Sequence, residues 1–213
     1  MLEKIIELIF PTTCGVCGKI SKEPLCTICS NKIEKIIIAK KTEVIGKNFE
    51  SFIYLFEYKG AIREKIINYK FNENSYLYQA FAKLIIKNKK ICRFIKNYDI
   101  IIPVPISKKR LKERGYNQSE LIAKKIAREL KIEYVKDALI KEIHTKTQST
   151  LNKEERKHNV YNAYKVVNED KIKGKKVILF DDIYTTGSTV NECSRIIKLA
   201  GASKIAVLTI AKD

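Results

Sequence analysis

Several signatures are missing from this chain, and each absence closes a route. There is no G-x-x-x-x-G-K-[ST] and no G-x-G-x-x-G, so a P-loop ATPase or a dinucleotide enzyme has no support. There is no internal repeat and no low-complexity tract, which leaves a globular rather than a disordered chain. The longest apolar runs are about half of a membrane span, and the first segment, MLEKIIELIF, carries Glu3 and Glu7 with no cleavage-site pattern. A soluble, cytoplasmic protein with no membrane insertion is expected. Histidine is scarce, and neither His144 nor His158 stands in a metal spacing. Few aromatic residues are grouped for base stacking, so any hold on single-stranded DNA is expected to be mainly electrostatic.

What is present suits one full α/β domain with a small appendage: 213 residues, 45% of them apolar. The net charge of +18 attracts nucleic acid or phosphorylated ligands. A composition of 35 Lys against 7 Arg, with 34 Ile, also follows from an adenine- and thymine-rich coding sequence, and both origins stay open. Leu2, Ile5, Ile6 and Ile9 fall at helical spacing, so the first segment is expected to pack as an amphipathic helix on its own protein or a partner.

Cys14, Cys17, Cys26 and Cys29 form C-x2-C-x8-C-x2-C. Two knuckles, with turns at Gly15 and Gly18, suit one tetrahedral zinc whose four protein ligands leave no open position. The site is therefore expected to be structural; two disulfides are the rival reading, disfavoured in a reducing compartment. Cys92 and Cys193 lie on apolar helical faces and are expected in the core.

The chemistry is concentrated in residues 177–190, VILFDDIYTTGSTV. Val177, Ile178, Leu179 and Phe180 read as a strand buried on both faces. A turn follows, and a helix is expected to begin near Ser188, with Thr189 and Glu192 at capping-box spacing. A helix amino terminus offers unpaired N–H groups and partial positive charge, so Thr185, Thr186, Gly187, Ser188 and Thr189 make a phosphate cradle. Asp181 and Asp182 stand beside it, placed to accept hydrogen bonds from vicinal hydroxyls. Phosphate plus diol points to a ribose 5-phosphate.

Elsewhere the pattern alternates strands and helices: a strand at 51–58, helices at 60–69 and 75–88 separated by a polar break at 72–74, a strand at 99–105, a basic loop, and a helix at 117–130. A strand near 134–140, a polar segment at 142–150, a helix near 153–158, a strand around 163–167 and a last strand at 204–210 complete it. Residues 31–48 read as a helix end and connector. The expected division is 1–48, helix and zinc module, and 49–213, an α/β domain with a mostly parallel sheet whose ligands sit at the carboxyl ends of its strands.

DDIYTTGST resembles the phosphoribosyl pyrophosphate (PRPP) signature of type I phosphoribosyltransferases. With IPVPISKKRLKERGYNQSELIA, Thr145, Gln148, Leu151, Glu155, Arg156, Asn159 and the ribbon ahead of them, the whole chain resembles the ComF family of phosphoribosyltransferase-like proteins. That resemblance implies the type I phosphoribosyltransferase fold preceded by a small four-cysteine zinc ribbon. Asp181 and Asp182 would hold the ribose hydroxyls, and residues 185–189 the 5-phosphate. Lys108, Lys109, Arg110 and Arg114 would face the pyrophosphate, and residues 142–156 would form a closing flap, with Ile143 or His144 where relatives often carry Arg. Gly115, Asn117 and Gln118 would shape the turn, and Lys70 matches a family position whose role the sequence leaves open. Mg2+ would bind together with PRPP. With the last expected strand near the end of the chain, a hood over the acceptor is expected from residues before about 98, the zinc ribbon among them.

Two classes of function follow. One is transfer of the phosphoribosyl group from PRPP to an unknown acceptor; the other is an adaptor for single-stranded DNA beside a helicase-like competence ATPase, keeping the PRPP site as a sensor or relic.

Overall fold

The computed structural model describes residues 12–71, 74–142 and 161–213. Along the chain come helix α1 (Thr27–Glu34), strands β1 (Lys40–Glu43) and β2 (Ser51–Glu57), and helices α2 (Gly60–Phe71), α3 (Leu77–Lys87) and α4 (Lys89–Ile95). Strand β3 (Ile100–Pro103), helices α5 (Lys108–Arg114) and α6 (Gln118–Leu130), and short strands β4 (Glu133–Tyr134), β5 (Leu139–Lys141) and β6 (Tyr164–Val166) follow. The last elements are β7 (Lys176–Tyr184), α7 (Ser188–Leu199) and β8 (Lys204–Lys212).

The main sheet runs β1-β2-β8-β7-β3-β4. All neighbours are parallel except β1, which pairs antiparallel with β2. Period-two alternation explains why β7 reads as one unbroken apolar run. Ile178 and Phe180 enter the core that contains Tyr69, Phe81 and Ile122, from α2, α3 and α6, whereas Val177 and Leu179 enter the core that contains Val190, Cys193 and Ile197 of α7. A strand with helices on both faces has no polar side to show. Each such residue contributes about 1.5–3 kcal/mol of burial, which makes β7 a firmly held platform for whatever its carboxyl end carries.

Three local expectations are corrected. Residues 31–48 contain β1, all of it exposed, whose pairing with β2 adds an edge strand to the sheet. The basic stretch after β3 is a helix rather than a loop: Ser107 Oγ accepts from the Arg110 N–H at 3.3 Å, good helix formers fill α5, and Gly115, at φ +75°, closes it. The strand expected at 134–140 is broken by a 3-10 turn at Lys136–Ala138, so β4 joins the main sheet while β5 pairs with β6 in a separate two-stranded sheet.

The division at residue 48 falls between β1 and β2, two paired strands of one sheet. Cys193 is buried in the core and Cys92 half-buried, its thiol donating to the Ile86 carbonyl at 2.8 Å. The expected first amphipathic helix, most of the break at 72–74, the flap beyond Glu142, the helix near 153–158, and the residues Ile143, His144, Thr145, Gln148, Leu151, Glu155, Arg156, His158 and Asn159 lie outside the described residues.

Candidate functional site

At the carboxyl ends of β3 and β7 lies a cleft of about 200 Å3. One wall is the acid pair. Asp181 Oδ1 accepts from Ser119 Oγ at 3.0 Å and from the Asp182 N–H at 2.9 Å. Asp182 Oδ1 pairs with Lys70 Nζ at 2.9 Å, the two side chains being 11% and 20% exposed. Burial, and then the charge of Asp182, pushes the Asp181 carboxyl up to about 7; Lys70 and the two hydrogen bonds pull the other way. Each carboxylate is thus held through Oδ1, while Oδ2 has no hydrogen-bond partner among the described residues.

Two tripeptides outside the acid strand lock this geometry. In the first, Asn117 caps α6 by accepting from the Ser119 N–H at 3.1 Å and donates to the Val104 carbonyl at 3.0 Å. Gln118 Oε1 accepts from Arg114 at 3.0 Å, and Ser119 reaches Asp181. In the second, at the end of α2, the Tyr69 hydroxyl donates to the Gln118 carbonyl at 2.8 Å, Lys70 takes Asp182, and the Phe71 ring lies 4.8 Å from the Arg114 guanidinium. Lys70 therefore touches the acid pair rather than only ending its helix. The sequence showed the Asn117-Gln118 pair as turn-formers, and nothing in its spacing revealed that Ser119 and Tyr69 would support the site.

The opposite wall is the turn into α7. Gly187 has φ +73°, and a Cβ there would fall 2.3 Å from the Tyr184 hydroxyl oxygen, so only glycine fits. Tyr184 in turn packs on Phe52 in a tilted pair, with ring centroids 4.3 Å apart. Thr186 and Ser188 hydroxyls pair at 2.9 Å. The helix begins at Ser188 as expected, but without a capping box: Gly187 is the N-cap, and Glu192 instead accepts from the Asn162 N–H at 2.9 Å and from Arg195. Thr185, Thr186, Gly187, Ser188 and Thr189 all line the cleft. The Ser188 N–H donates to Thr186 Oγ1 at 3.3 Å; the next N–H groups of the first turn of α7 face the cleft end of the helix, where such groups receive an anion.

Arg110 and Arg114 close the third side, joined by Lys141, which the sequence reading missed. Lys141 Nζ sits 5.0 Å from the Tyr164 ring centroid, and burial, then Arg110, lowers its pKa. Arg114 is lowered in the same way, by burial first and Arg110 next. Lys108 and Lys109, also expected here, are exposed and line no part of the cleft. Because α5 is helical, it turns Arg110 and Arg114 inward at i, i+4 spacing and leaves their neighbours outside. No described residue before Lys70 lines the cleft.

The four cysteines converge: their Sγ atoms all lie within 4.8 Å of one another, with Cys17 and Cys26 3.9 Å apart. Four thiolates about 2.3 Å from one zinc would lie about 3.8 Å apart, so the cluster fits a tetrahedral metal such as zinc. Burial raises the Cys14 thiol, but backbone N–H groups of Cys17, Cys26 and Val16 outweigh it and hold Cys14 at about 6. Burial, then contact with the other three thiols, drives Cys29 up to about 12. Gly18, at φ +73°, makes one knuckle; Gly15 instead permits close approach, since a Cβ there would meet Leu77 at 2.9 Å and Ala80 at 3.1 Å on α3. Lys83 of α3 pairs with Glu23.

Residues 117–213 match the family described as phosphoribosyl transferase domain. The chain is 29% identical over 203 residues to competence protein F of Haemophilus influenzae, covering 93% of this chain and 84% of that protein, ribbon region included. The chain belongs to the competence protein F family. A second family relative, the DNA utilization protein YhgH of Escherichia coli strain K12, is 27% identical over 77% of this chain and 73% of its own length. Among solved structures, the glutamine phosphoribosylpyrophosphate amidotransferase of B. subtilis is 19% identical with a TM-score of 0.42, covering 62% of this chain and only 25% of that longer one. The strand order and the matched domain carry the fold assignment: a mostly parallel α/β phosphoribosyltransferase-type fold preceded by a four-cysteine cluster. Among the described residues no helix is long and apolar enough to cross a membrane.

Proposed function

We propose that the cleft binds PRPP with Mg2+ and that the protein transfers the phosphoribosyl group to an acceptor, releasing pyrophosphate. One observation carries the reading: a single cleft holds an acid pair, a hydroxyl-glycine turn on a helix amino terminus, and a cationic wall. Asp181 and Asp182 accept the ribose 2- and 3-hydroxyls through their free oxygens. Residues 185–189 take the 5-phosphate on backbone N–H groups and hydroxyls. Arg110, Arg114 and Lys141 face the diphosphate.

In the transfer, an acceptor nucleophile forms a bond to C1 as the C1–oxygen bond to pyrophosphate breaks, through an oxocarbenium-like state. The protein's part is to hold the two phosphate ends apart and neutralise the departing charge, with no protein nucleophile. Mg2+ carried in with the diphosphate would supply further charge neutralisation at the departing group. The four cysteines hold a structural zinc in this reading, which places the protein in a reducing cytoplasm. The metal module ends near residue 48 and contributes β1 to the sheet.

The test is calorimetric titration of Mg–PRPP into wild type and into Asp181→Asn/Asp182→Asn, each shown to be folded. Micromolar binding lost in the double variant supports the site; no binding to folded, zinc-loaded wild type overturns it. The names of the relatives, competence and DNA utilization, together with the +18 charge, favour a second reading, an adaptor that binds single-stranded DNA and a helicase-like partner. A DNA titration across salt concentrations decides it: a steep loss of affinity with salt supports the adaptor, a flat response removes it.

A further inference from the structure

The ion pair between Lys70 and Asp182 occupies the place where the proposed ligand must bind. Asp182 meets Lys70 through Oδ1 at 2.9 Å, both side chains are largely buried, and Asp181 stands beside them with no cation of its own in contact among the described residues. Three other cations, Arg110, Arg114 and Lys141, line the cleft, yet none makes an ion pair with either acid. Among the described residues Lys70 is the cation in direct contact with the acid pair, while Arg114 and Lys141 feel Asp182 and Asp181 without pairing with them. Removing one partner of so enclosed a pair leaves a charge that must be neutralised by something else.

A diol brings hydroxyl donors to the same carboxylates, and a divalent ion bound with a diphosphate adds positive charge there. The ammonium of Lys70 is then redundant on Asp182, while its flexible four-carbon stem lets it swing to an anion in the same cleft. We propose that Lys70 is a ligand-displaced counter-ion: it neutralises Asp182 in the free protein and passes to a phosphate oxygen of the ligand when the ribose docks. This rests on the PRPP reading above and adds what that reading lacked, a reason for divalent ions to bind with the ligand and not before it. While Lys70 holds Asp182, a free cation must displace it and gains nothing in exchange.

The two halves of the proposal move in opposite directions in one variant. In Lys70→Met, Mn2+ titrated alone, followed by its electron paramagnetic resonance signal, binds at least tenfold tighter than to wild type, and Mn2+ raises the variant's thermal midpoint. Mg–PRPP binds the same variant at least tenfold more weakly. Lys70→Arg keeps the charge and stays near wild type in the Mn2+ titration. Lys70→Met/Asp182→Asn removes both charges, keeps the fold if the single variant loses it, and loses the gain in Mn2+ affinity. A Lys70→Met protein that is folded but binds Mn2+ no better than wild type overturns the proposal, and so does an equal weakening of both ligands, which marks a merely structural lysine. A wild type that ignores Mg–PRPP while Mn2+ still responds to Lys70→Met refutes the proposed substrate and upholds the counter-ion.

Discussion

The four-cysteine module and the cleft are both clusters of ionisable groups at the edge of a core, and they solve the same electrostatic problem in opposite ways. The cysteines are crowded without a counter-charge: backbone N–H groups favour one thiolate, at Cys14, while burial and its neighbours keep Cys29 protonated. A metal ion bound there would complete the shell and be enclosed by four ligands. In the cleft the protein supplies its own cation, Lys70, and leaves an oxygen of each acid available. A site built to keep its ion lacks internal compensation; a site built to exchange ligands carries it.

The sharpest way to break this contrast is to strip the metal. Chelation, or Cys14→Ser/Cys29→Ser, lowers the thermal midpoint by about 10 °C or more, because the module's packing on α3 through Gly15 and Leu77 is lost with the metal; calorimetry and zinc content measure both sides. Since no described part of the module lines the cleft, any zinc-stripped protein that stays folded keeps its affinity for Mg–PRPP. Next in size, Asp181→Asn/Asp182→Asn costs at least about a hundredfold in that affinity, roughly 2.7 kcal/mol, measured on protein shown to be folded.

The third test uses pH. Asp181 is raised to about 7 in the folded protein against an unfolded value near 4, so the native state holds a proton that the unfolded chain has released. Its contribution to stability is full below about pH 4 and is lost as pH rises through 7. In the zinc-loaded, ligand-free protein, denaturant titrations from pH 5 to 8 therefore show stability falling by roughly 2–4 kcal/mol, and Asp181→Asn flattens that slope. Gly187→Ala follows at roughly 2 kcal/mol of stability, through its positive φ and the Tyr184 hydroxyl, with weaker ribose 5-phosphate binding in the same titration. Smallest is Ser119→Ala: about 1 kcal/mol of ligand affinity, from one hydrogen bond that orients Asp181.

Those residues also mark what a linear reading reaches. β7, its acid pair and the helix from Ser188 were legible because strand, turn and helix are consecutive and each has a local physical cause. The four cysteines were legible because their spacing is itself the geometry. Ser119, Tyr69 and Lys141 were not, since Ser119 and Lys141 reach the cleft, and Tyr69 the Gln118 carbonyl behind it, only through the tertiary packing of α2, α6 and β5. The basic stretch shows the reverse error. It was read by charge, and its helical character, which selects Arg110 and Arg114 and excludes Lys108 and Lys109, lay in the propensities of the same residues. β1, four polar residues with no apolar alternation, had no signal of its own, and only its pairing with β2 reveals it.

That inconspicuous strand has a consequence for the protein at high concentration. Parallel sheets with a bare apolar edge recruit further strands from neighbouring molecules. Here one edge is closed by Lys40, Lys41, Thr42 and Glu43, all exposed and running against the grain of the sheet, and the other by the two residues of β4. Charge and brevity at the two borders oppose edge-to-edge growth, so the chain can carry so apolar a sheet and remain disperse.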